Sequence, residues 1–145
     1  MKHNLLTITS LLSILLFTFH IAEDIVRGFE PGGFKNVSGI LIVVVWLFGT
    51  LVLTGRRSGY IITLLGSLLG SVVPLAHMRG VGMVGGRIAN SSGKLFWVWT
   101  LFALGAIALF SVILSVRGLW SLRRSSKLKP LGSAAHDTDG VARDQ

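Results

Sequence analysis

LLTITSLLSILLFTFHIAEDIVRG, residues 5–28, decides how this chain is read. It begins without a single charge and closes on His20, Glu23, Asp24 and Arg27. The uncharged run at 4–22 is long enough for a helix to cross a hydrocarbon core of roughly 30 Å at about 1.5 Å per residue. A membrane β-strand needs only about 10 residues of alternating polarity, and no such alternation is present. The stretch therefore reads as a membrane helix whose last turn surfaces in a knot of ionisable groups.

Composition extends that reading to the whole chain. Of 145 residues, 51% are apolar and only 14% charged, with a mean hydropathy of +0.71. Soluble domains carry about 25% charged residues, and one small core cannot hide this much apolar surface. Bilayer is the solvent that accommodates the excess. Cysteine is absent, which removes disulfides, thiolate ligands, cysteine nucleophiles and iron–sulfur clusters.

Three further uncharged runs follow, at 36–55, 58–78 and 95–116, each of roughly the spanning length. Continued to Arg27, where Gly28 offers a stop, the first span covers 4–27. No small-x-small cleavage pattern follows it, so it reads as a retained helix rather than a signal peptide. Short connections join antiparallel neighbours. The expected fold is all-α: an integral membrane four-helix up-down-up-down bundle at 1–124, followed by an unstructured tail at 125–145. GxxxG at Gly66–Gly70 and the small residues around Gly105 suit close helix contact. Trp46, mid-span, needs a partner for its indole N–H.

Lys and Arg set the direction of threading. The amino end, the loop at 55–59 and the tail together hold nine of them, including Arg56, Arg57, Arg117, Arg123 and Arg124. The opposite side holds five: Arg27, Lys35, Arg79, Arg87 and Lys94. Both termini are thus expected in the cytoplasm, with the 19–33 stretch facing outward. Trp97, Trp99, Trp120 and Tyr60 fall at interfacial depths. The net charge of +8 concentrates beside the membrane at 117–129, which points to anionic lipid headgroups. It lacks the interleaved aromatics and folded basic face of a nucleic-acid site, so no nucleic-acid partner is expected.

The outer rim carries the candidate chemistry. His20, Asp24 and Arg27 share one helix face, and Glu23 is spaced to pair with Arg27. The third span contains Pro74, where a kink or a freed carbonyl is expected, and then His77 and Arg79. His20 and His77 fall at similar depth. Glu30, in the Glu30-Pro31-Gly32-Gly33 turn, can swing over the same rim. Four readings follow. His20, Asp24 and His77 offer an N,N,O set for zinc or a similar ion. His20 and His77 could hold haem as a small redox protein does. Arg27 and Arg79 could bind an anion in an outward-facing ligand pocket. The same residues could also simply neutralise one another where the chain leaves the membrane. The leading expectation is a non-enzymatic pocket protein or accessory subunit, with the metal or haem protein as its rival.

Other motifs carry less. Gly80–Gly85 matches GxGxxG letter for letter, but dinucleotide binding needs a strand before it. A glycine loop over the bundle mouth fits better. Asn36 and Asn90 begin glycosylation-type triplets from which nothing follows. HExxH, GxSxG and Walker A patterns are absent. The layout is similar to that of small four-helix proteins of the bacterial inner (plasma) membrane, a similarity that implies no activity. Four helices make a thin transporter, so transport would require a homo-oligomer or a membrane partner.

Overall fold

The computed structural model of the chain describes residues 2–28, 37–77 and 92–141, with side chains at 4–28, 37–77 and 92–124. The fold is all-helical: α1 Lys2–Val26, α2 Val37–Leu51, α3 Arg57–His77 and α4 Lys94–Val141. Among the described residues there is no strand. Three helices are long and apolar enough to cross a membrane, over Asn4–Val26, Arg57–His77 and Lys94–Arg124.

Two elements differ from the sequence expectation. The second run, at 36–55, yields a helix of only 15 residues, about 22 Å long at the standard rise. A turn begins at Val52, whose N–H and that of Leu53 both bond to the Phe48 carbonyl. Apolarity alone does not show where a helix ends, and here Thr54 and Gly55 (φ 77°) already form the turn into α3. The fourth helix continues past 116 through the tail to Val141, where an unstructured segment from 125 was expected. The helix passes through Gly118, Pro130 and Gly132, residues whose intrinsic preference disfavours a helix interior.

The exposed and buried faces explain why lipid suits this bundle. Leu5, Ile8, Leu12, Leu15 and Phe19 form an exposed stripe along α1. Its opposite face buries Ser10, Ser13, His20 and Asp24. Small polar groups buried among apolar residues such as Ile14, Leu16 and Phe17, with large apolar side chains also covering the outside, depart from the pattern of a soluble helix bundle. α2 is apolar and largely exposed, burying only Trp46, Gly49 and Thr50.

α4 packs on both α1 and α3, while α2 packs on α1 and α3. Small residues make these contacts close. Gly66 lies under the Trp46 indole, so that a Cβ there would overlap the ring. A Cβ at Gly105 would come within 2.7 Å of Pro74 Cγ, and α3 runs unbroken through that proline. Trp46 obtains the partner it requires: its Nε1 donates to Ser10 Oγ at 3.0 Å. Thr50 Oγ1 donates to the Trp46 carbonyl at 2.9 Å. Its single proton is thereby used, so Ser10 is the donor in the 2.7 Å bond between Ser10 and Thr50. This closed circuit joins the amino-terminal half of α1 to the carboxyl-terminal half of α2.

Candidate metal centre at one end of the bundle

The opposite half of α1 is tied down through Asp24. α1 ends at Val26, and Gly28 takes φ 74° with its N–H on the Ile25 carbonyl. A left-handed glycine stops the helix one turn past Asp24. His20 and Asp24, one turn apart, both point into the bundle and are 3% and 6% exposed. Pro74 and Gly105 hold α3 close to α4, which brings His77 and Trp97 to the same point.

Both imidazoles address one carboxylate oxygen. His20 Nε2 lies 3.3 Å and His77 Nε2 3.6 Å from Asp24 Oδ2. The other oxygen, Oδ1, accepts the Trp97 indole N–H at 3.1 Å. The His20 and His77 rings meet edge to face at a centroid distance of 4.8 Å. Trp97 closes the third side, 5.4 Å from His77 and 6.0 Å from His20. Three rings from three helices thus enclose the acid.

His77 Nδ1 sits 3.0 Å from the Val73 carbonyl. A carbonyl can only accept, so Nδ1 carries the proton. In a neutral ring, Nε2 is then a bare lone pair aimed at a carboxylate. Two electron-rich atoms in that position need a cation between them, either a proton or a metal ion. His20 Nδ1 is buried without a hydrogen-bond partner.

The three donors also fit a metal ion. They lie within 4.8 Å of one another. Four ligands at bond lengths of roughly 2.0–2.1 Å stand about 3.3 Å apart along each tetrahedral edge. The two nitrogen–oxygen separations, 3.3 and 3.6 Å, are already near that value. Contacts behind the donors fix their orientation: Val73 holds the His77 ring and Trp97 holds the carboxylate.

The remaining candidates divide. Arg27 Nη2 lies 3.5 Å from Glu23 Oε1 and donates to the Ser92 carbonyl at 3.4 Å. It straps the end of α1 to the turn before α4, where Gly93 takes φ 76°. The second Glu23 oxygen is buried without a partner. This pair lies beside the cluster rather than within it. Glu30, Arg79 and the glycine loop at 80–85 fall outside the described residues. Trp97 is the one member that sequence reading missed. Its position suggested an interfacial ring, and only its burial at 1% exposure distinguishes it from Trp99, which is 63% exposed.

Comparisons with family models, with curated proteins and with solved structures find no match for this chain.

Trp97→Phe removes the donor to a buried carboxylate oxygen. Leaving such an atom unsatisfied costs about 1–3 kcal/mol, and more when it is charged. Thermal unfolding in detergent is expected to show a clear drop for Trp97→Phe and little change for Trp99→Phe. Equal shifts for the two would contradict the bond's role.

Proposed function

We propose that this chain is an integral protein of the bacterial inner (plasma) membrane that binds one divalent transition-metal ion through His20, Asp24 and His77. The helices thread up-down-up-down, both termini are cytoplasmic, and the metal site faces outward. The single observation that carries the metal reading is the convergence of His20 Nε2 and His77 Nε2 on Asp24 Oδ2. Nitrogen and oxygen donors in this mixture suit zinc or a similar ion. Three protein ligands leave a fourth position for water or an incoming ligand.

Haem fits less well. Its two axial imidazoles must face each other across a flat macrocycle, whereas both Nε2 atoms here turn to the same oxygen. A bare ion pair is the second reading, favoured by the same distances: an imidazolium proton would supply the positive charge in place of metal. Under that reading the cluster serves only to close the outer end of the bundle.

Support for the threading comes from charge and contact together. The ends of α1 and α3 meet the start of α4 at Asp24, and the far halves of α1 and α2 meet at Ser10 and Thr50. Arg56, Arg57, Arg117, Arg123 and Arg124 all lie toward the end away from Asp24. α2 is short for a span, and local thinning of the bilayer accommodates it at a modest cost per ångström.

Metal analysis tests the site. Protein purified without chelator and titrated with Zn²⁺ is expected to hold one ion per chain. His20→Ala and His77→Ala should each lower affinity at least tenfold, while Arg27→Ala leaves it nearly unchanged. Stoichiometric binding in none of them, with a stability loss in both histidine variants, would leave the ion pair instead. Threading is tested separately, on a chain that has no cysteine of its own. Gly32→Cys should react with an impermeant maleimide in intact cells, and Gly140→Cys only after permeabilisation. The reverse pattern would overturn the orientation.

A further inference from the structure

A second site lies at the opposite end of the molecule. A groove of about 520 Å³ runs between the first turns of α1 and one face of α4, with Tyr60 of α3 at its floor. Tyr60 is buried, and its ring packs so closely on Gly118 that a Cβ there would overlap it. The absence of a side chain at residue 118 lets the Tyr60 ring pack directly on α4 at the base of the groove.

Its two halves differ in chemistry. Leu5, Leu6, Phe110, Ile113 and Leu114 line the part nearer the bundle centre. Arg117, Trp120, Ser121 and Arg124 line the outer part, and no acidic residue is among the lining residues. From Phe110 to Arg117 the helix rises about 10 Å, and from Arg117 to Arg124 about 10 Å more. The apolar stretch is comparable with one leaflet's hydrocarbon depth of about 15 Å. The two arginines stand two turns apart on the same face, able to flank one anionic group. Trp120, 61% exposed, sits where amphipathic rings favour the headgroup level.

We infer that this groove binds one anionic glycerophospholipid of the cytoplasmic leaflet, its phosphate between Arg117 and Arg124 and an acyl chain along Leu5, Leu6 and Phe110. Charge selects the headgroup: guanidinium pairs with phosphate through directed hydrogen bonds, and basic pockets between membrane helices at the cytoplasmic side suit acidic lipid. The apolar half selects a lipid over free phosphate, which would leave that wall empty. The volume falls within the range of small-ligand sites, roughly 300–1,000 Å³. The inference rests on the membrane reading and its orientation, and is independent of the metal site.

Native mass spectrometry tests it. Full-length protein is released from detergent micelles carrying equal amounts of phosphatidylglycerol and phosphatidylcholine. One phosphatidylglycerol per chain is expected, retained at least tenfold over phosphatidylcholine. Arg117→Gln with Arg124→Gln should abolish the preference. Ile113→Trp, which fills the apolar half and keeps both arginines, should lose the bound lipid while helicity by circular dichroism stays unchanged. Equal retention of the two lipids would overturn the proposal, as would undiminished preference in the double-arginine variant or displacement by millimolar inorganic phosphate. Zinc content of the same samples reads the outer site separately, and solubility without detergent would instead defeat the membrane reading itself.

Discussion

A carboxylate sealed among three rings is the constraint on which this structure turns. Asp24 is 6% exposed, and an uncompensated charge at such a position is expensive in protein and more so at membrane depth. Its compensation comes from His20 on its own helix, His77 on α3 and Trp97 on α4. One acid therefore fixes the relative depth of three helices. A slip of α3 by one turn would carry His77 away from Asp24 and leave the acid short of a partner.

Such polar fixation matters because hydrophobic burial cannot assemble these helices in lipid. Leu15 and Phe19 face outward, where acyl chains are as apolar as a protein core. What remains is close packing and hydrogen bonding. The Ser10, Thr50 and Trp46 circuit and the Asp24 cluster lie at opposite ends of α1. Between them Gly66, Gly70 and Gly105 let backbones approach; at Gly70 an added Cβ would already lie 3.2 Å from Ala108 Cβ. Polar contacts set the register and small residues allow the contact, so the bundle uses both devices available to membrane helices.

Much of this was legible from residue order alone. The long uncharged runs identify the apolar helices because a bilayer imposes a minimum length. His20 and Asp24 declare a shared face through their spacing, and Gly28 its stop through its lack of a side chain. That His77 joins them could be suspected from similar depth, but depth does not fix azimuth. The meeting of the rings at 4.8 Å depends on how α1 and α3 are turned toward each other, a property of two helices and not of either sequence. Trp97 was unreadable for the same reason: a tryptophan near a span end suits the interface and the interior equally. The shortness of α2 was also hidden, since Val52 and Leu53 are as apolar as the helix before them while the backbone has already turned.

We propose that Asp24 shares a metal cation with His20 and His77, which would make this end of the bundle a ligand site as well as a structural knot. X-ray absorption at the zinc edge, on protein loaded with one equivalent of Zn²⁺, examines the shared centre most directly. Two imidazole nitrogens and one or two oxygens at roughly 2.0–2.1 Å are predicted, with the multiple-scattering pattern of histidine rings. A shell of oxygens alone, without imidazole scattering, would contradict it.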